Sequence, residues 1–162
     1  MSKRRRTTQG QRPVFQISQK RPIDKSLVYV NKDTVDATQV TTQLLVATFP
    51  CTVTGLRWDI QVDRSAGTGQ CRGDWCIVLV KDGNSANSIS ISDAATFYEP
   101  EQNVLAFGVH SGQQDGPDST HFMGTTKTMR KLMGGDQLIF VYKGLATNTS
   151  NVRGIIQFFC KS

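Results

Sequence analysis

Residues 52–63 read TVTGLRWDIQVD, and the last eight of them decide the fold class. Leu56, Trp58, Ile60 and Val62 alternate with Arg57, Asp59, Gln61 and Asp63, a period of two that sends one set of side chains to each face of an extended chain. A helix would scatter both sets around its circumference. The segment therefore reads as a half-buried strand. Upstream, Cys51 and Val53 fall in the opposite phase, and Gly55 stands where the phase slips, as a bulge or bend requires.

Outward from this strand the chain repeats the same texture. Short runs rich in Val, Ile, Thr and aromatics are separated by Gly, Asn, Asp, Ser and Pro clusters. Strands are expected over LVYV at 27–30, QVTTQLLVATF at 39–49, DWCIVLVKDG at 74–83, NVLAFGVHS at 103–111, HFMGTTKTMRKLM at 121–133, QLIFVYKG at 137–144 and VRGIIQFFC at 152–160. WCIVLV and LIFVY are apolar at every position, so these strands are expected to be covered on both faces or to lie under another subunit. Helical periodicity is confined to SDAATFYEP at 92–100, where Ser92 or Asp93 would cap a short turn and Pro100 would end it. Eight strand-like segments with almost no helix give an all-β class, a sandwich or a barrel, and the lack of a fixed-period repeat argues against a propeller or solenoid.

The N-terminal 25 residues have a different character. They carry Lys3, Arg4, Arg5, Arg6, Arg12, Lys20, Arg21 and Lys25 against Asp24 alone, a net of +7, whereas the whole chain of 162 residues has a formal charge of +6. Residues 26–162 are thus almost neutral. With only Val14, Phe15 and Ile17 as scattered apolar residues, the first segment has too little surface to bury against the entropy of ordering and is expected to be a disordered basic arm, residues 1–25, in front of a single β domain, 26–162. Its charge points to a polyanionic partner. Arg and Lys on a tether neutralise phosphates regardless of base sequence, and the Arg fork suits bidentate contacts. The same KRRR run fits a nuclear localisation signal.

The remaining motifs carry weaker chemistry. No apolar run approaches the length of a membrane helix, and no apolar leader precedes the four cysteines, so a reducing compartment is expected. His110 and His121 stand without a nucleophile elbow, a phosphate loop or zincin spacing, and Glu99 with Glu101 around Pro100 reads as a solvated turn, so no enzyme is expected and no cofactor. Cys51, Cys71, Cys76 and Cys160 lack metal-ligand spacing and read as small buried hydrophobes. Asp115 and Asp118 read as an acidic turn before a calcium site at a subunit contact, and Arg72-Gly73-Asp74 as a chance tripeptide before an attachment motif. Asn148-Thr149-Ser150 spells a glycosylation sequon that would need a secretory route. Lys127, Arg130 and Lys131 are either fixed phosphate contacts on a sheet face, or a solvated face or subunit salt bridge. The domain's aromatics mostly fall inside apolar runs, where packing explains them, whereas an open single-strand platform would show them interleaved with Lys and Arg.

The order of these features, a short Arg-rich arm, a β-only domain, FYEPEQNVLAFG at 97–108, TKTMRKLMGGDQLIFVYKG at 126–144 and the terminal VRGIIQFFCKS, resembles the capsid proteins of small circular single-stranded DNA viruses that encode a replication initiator, and more distantly the coat protein of satellite tobacco necrosis virus. The resemblance implies a jelly roll of two four-stranded antiparallel sheets and a homo-oligomer of sixty copies closing an icosahedral shell, with the protein located in the virion and in the host nucleus during assembly. It places Lys3, Arg4, Arg5, Arg6, Arg12, Lys20 and Arg21 inside the shell against a single-stranded DNA genome, where sixty arms would bring on the order of 400 positive charges. Phosphate contacts alone do not separate DNA from RNA. The competing reading is a monomeric β-barrel that binds single strands and carries a basic tail.

Overall fold

A computed structural model describes residues 23–34, 38–67, 72–84, 89, 91, 103–111, 119–144 and 148–161. Among them the chain forms eight strands: β1 (Ile23–Thr34), β2 (Gln39–Val46), β3 (Cys51–Gly67), β4 (Arg72–Val80), β5 (Val104–Ser111), β6 (Ser119–Leu132), β7 (Gln137–Gly144) and β8 (Asn148–Lys161). They make two four-stranded sheets, here called A in the order β1-β8-β3-β6 and B in the order β2-β7-β4-β5. Every pairing is antiparallel. This is the jelly roll that the resemblance implies: strands alternate between the sheets except that β4 and β5 share sheet B, and the first and last strands lie side by side. The capped turn expected at 92–100 lies outside the described residues.

Period two governs sheet A. On β3, Leu56, Ile60 and Val62 are wholly buried while Arg57, Asp59 and Gln61 are exposed. The register slips between Val53 and Gly55 against both neighbours, which is the bulge implied by the phase change at Gly55. The inward side chains of both sheets form one core containing Leu56, Ile60, Leu138, Phe140, Tyr142 and Ile156. At one end the core is aromatic: Trp58 meets Trp75 across the sheets at a ring separation of 5.1 Å, and Phe122 stacks on Trp75 at 5.2 Å.

The uniformly apolar strands have a second cover. Cys76, Val78, Val80, Ile139 and Val141 face away from the main core and pack under Ile91, with Ile89 and Val104 beside it. Gln39 fastens this cover, since its Nε2 donates to the Ile89 carbonyl at 2.5 Å and its Oε1 accepts from the Ile91 amide at 2.8 Å. The chain thus covers that face of β4 and β7 with its own residues.

The tight link MGGDQ between β6 and β7 is a turn. The Asp136 amide donates to the Met133 carbonyl at 3.1 Å, and Gly135 has φ of 90°, the left-handed value that the third position of a type II turn needs. Asp136 is 2 % exposed and its carboxylate accepts from Lys81 Nζ at 2.8 Å and from the backbone amides of Met133 at 2.8 Å and Asp82 at 3.1 Å. Burial opposes its ionisation, but the Lys81 bond and the two amides outweigh that cost and hold the carboxyl below its ordinary range.

Candidate nucleic-acid interface

Lys3, Arg4, Arg5, Arg6, Arg12, Lys20 and Arg21 lie outside the described residues, but the place where their segment joins the domain is on the page. β1 begins at Ile23, at one end of an edge strand of sheet A, and the row across the sheet there is Ile23, Lys161, Thr52, Lys131. The next row on the same face pairs Phe159, Gly55 and Lys127, and the one after it is Leu27, Gln157, Arg57 and Thr125. Lys161, Lys131, Lys127 and Arg57 are all exposed, and these rows contain no Asp or Glu. Arg130 is exposed at the same end but in the opposite phase, opposite Val53. The sheet end at which the described chain begins is therefore basic.

Farther from the arm the outer face changes character. The next row is Tyr29, Ile155, Asp59 and Met123, with Tyr29 72 % and Met123 65 % exposed. Beyond it come Asn31, Arg153, Gln61 and His121, then Asp33, Asn151, Asp63 and Ser119. His121 pairs with Asp59 across β6 and β3. Hydrogen bonds from Ser119 and Gln61, with Arg153 nearby, hold the Asp63 carboxyl below its usual value. Three shallow depressions score this face, one lined by Tyr29, Asn31, Arg153 and Gly154, one by Leu27, Arg57, Asp59 and Gln157, and one by Arg57, Asp59, Met123 and Thr125, with Ile155 between the first two.

Tyr29 is an exception to the packing that accounts for most of the domain's aromatics. LVYV reads as an apolar run, yet its alternation puts Val28 and Val30 inward and Leu27 and Tyr29 outward. That alternation was the available signal. Its importance depends on Arg57 and Lys127, which share its face but are separated from it by one and by two intervening strands, and no local spacing shows that.

The other candidates are placed as follows. His110 is buried, bonded through Nε2 to Tyr142 Oη at 2.8 Å and ringed by Phe122, and burial pushes its pKa down to about 4. Its Nδ1 has no partner, which favours the neutral ring with the proton on Nε2, donating to Tyr142, because a bare acceptor costs less to bury than an unpaired donor. Arg72-Gly73-Asp74 opens β4, paired with both β5 and β7, so the tripeptide is part of a sheet and not a loop tip. Thr149 and Ser150 of the sequon belong to β8, and Ser150 is buried with its amide donating to Thr34 Oγ1. Cys51 and Cys76 carry free buried thiols, the latter pushed up to about 12 by burial, which fits small hydrophobes. Among the described residues no three of His, Cys, Asp and Glu gather as a metal site. Cys71, Glu99, Glu101, Asp115 and Asp118 lie outside those residues.

No protein-family model matches the chain, and no curated protein matches it. Among solved structures it is similar to one titled "Structure of infectious bursal disease virus Gx strain", with a TM-score of 0.31 and 9 % identity over 85 % of this chain and 32 % of that one. The chain thus spans about a third of that neighbour's length, and a likeness at this score carries no argument for function.

Proposed function

We propose that the chain is a viral coat protein, a jelly-roll subunit that closes into a small icosahedral shell of sixty copies and packages single-stranded DNA without sequence preference. Lys3, Arg4, Arg5, Arg6, Arg12, Lys20 and Arg21 gather the polymer by phosphate contact. The observation that supports this reading most is the separation of charge from fold. Residues 1–22 hold seven cations and no carboxylate, and they join the domain at the basic end of sheet A, in the row of Lys161 and Lys131. A tethered cationic segment lets identical subunits meet a polymer that lacks their symmetry, while the sandwich supplies the surfaces that repeat. The preference for DNA over RNA, the copy number, the virion and the host nucleus as its sites rest on the sequence resemblance.

The test is a full-length variant with Arg4, Arg5, Arg6 and Arg12 replaced by Gln. Purified side by side, the unaltered protein is expected to carry nucleic acid that absorbs at 260 nm and the variant to have lost most of it. Equal nucleic-acid content in the two preparations overturns the role given to the arm.

A further inference from the structure

The outer face of sheet A has a polarity along the strands that the arm alone does not explain. Lys161, Lys131, Lys127 and Arg57 occupy its first rows, and the carboxylates Asp59, Asp63 and Asp33 begin only beyond them. At the boundary stands Tyr29, 72 % exposed on an edge strand, with Leu27 45 % exposed and Ile155 37 % exposed beside it. Depressions flank Ile155 on both sides. A purely solvated face has no need of an exposed ring and two exposed apolar neighbours. A purely apolar contact between proteins has no need of four exposed cations at the end where a seven-cation segment joins the domain.

We propose that this face is a fixed seat for single-stranded DNA. Lys161, Lys131, Lys127 and Arg57 hold phosphates continuing from those held by the arm, and a base stacks on the Tyr29 ring with Leu27 and Ile155 as its apolar surround. Charge complementarity and the entry of the arm at Ile23 select this occupant. An open sheet that carries an exposed aromatic and cations on one face is the arrangement by which single strands are bound without regard to sequence, because every base presents a π-face. The carboxylates at the far end keep the strand near the arm by repelling its phosphates. The inference rests on the reading that the chain packages a single strand, and it adds a fixed aromatic contact to the bases beside the phosphate contacts of the tether.

The experiment titrates the full-length chain with labelled thymidine oligomers of about 16 nucleotides and with abasic strands of the same length. The unaltered chain is expected to bind the thymidine strand about tenfold more tightly than the abasic one. Tyr29→Ala should erase that difference while leaving the salt dependence unchanged, and Tyr29→Phe should retain it. Lys127→Ala combined with Lys131→Ala should lower the salt slope by about 1.4. Equal affinity for thymidine and abasic strands, or a Tyr29→Ala chain that still discriminates, overturns the seat. If binding then vanishes on neutralising Arg4, Arg5 and Arg6, the arm keeps its role and only the seat is lost. If discrimination at Tyr29 survives with full affinity in that neutralised chain, the seat stands and the packaging arm is lost. Tighter binding of a uridine oligoribonucleotide than of the thymidine strand overturns DNA as the occupant.

Discussion

His110 on β5 and Tyr142 on β7 are not on paired strands; they hydrogen-bond at 2.8 Å by reaching across Gly73 of β4, which lies between them. The two rings stack nearly parallel, at a 20° interplanar angle. A side chain at position 73 would occupy the space of the Tyr142 hydroxyl and ring, and the Lys143 carbonyl lies 2.8 Å from where its Cβ would stand. The glycine of Arg72-Gly73-Asp74 is therefore a packing requirement of the sheet.

Gly73→Ala should destabilise the domain by about 2 kcal/mol or more, since overpacking a closed core costs about 1–3 kcal/mol and this change also parts a buried hydrogen bond. Arg72→Ala, on an exposed side chain, should leave stability within about 0.5 kcal/mol. Urea unfolding of both variants measures the contrast.

Acid should weaken the fold through His110. Its pKa falls from 6.5 to about 4 on folding, so the unfolded chain binds the proton more readily. The stability contributed by keeping this ring neutral is complete above pH 6.5 and is lost as the pH falls toward 4, a change of about 3 kcal/mol at most. His110→Gln should start less stable at pH 7 and show a flatter profile between pH 6.5 and 4, read as urea midpoints against pH.

Asp136 fastens the β6–β7 corner, and its carboxyl is depressed, so its contribution is present above the ordinary carboxylate pKa and lost as the pH falls through the folded value. Asp136→Ala leaves the amides of Met133 and Asp82 without their acceptor and should cost about 2–3 kcal/mol. Lys81→Ala should cost less, because Lys81 is 47 % exposed and water replaces part of its role. Thermal melts of the two variants at pH 7 give the ranking.

The sequence made the sandwich legible because each strand announces itself locally. Alternation over 56–63 and the apolar runs at 75–80 and 138–142 gave both strand type and number, and the phase slip at Gly55 gave the bulge. Strand ends were less visible. β1 runs from Ile23 to Thr34, well beyond LVYV, because it pairs along β8 in an unbroken register and Thr34 gains a buried bond with Ser150, neither of which is a local property. β2 stops at Val46, short of residue 49, because Ala47 turns to exchange hydrogen bonds with Gly135 and Asp136. The candidate interface is half legible: Lys127, Arg130 and Lys131 stand together in the sequence, but Arg130 falls in the opposite phase, and the company of the two lysines with Lys161, Arg57 and Tyr29 comes from four strands far apart in the chain.

In the proposed role, one chain joins a cationic gathering segment to a self-assembling jelly roll. Electron microscopy of the purified full-length protein, with absorbance at 260 and 280 nm taken on the same fraction, tests it most directly. Uniform small spherical particles that carry nucleic acid are the expected result. A lone protomer under every salt and pH condition, or particles free of nucleic acid, would contradict the account.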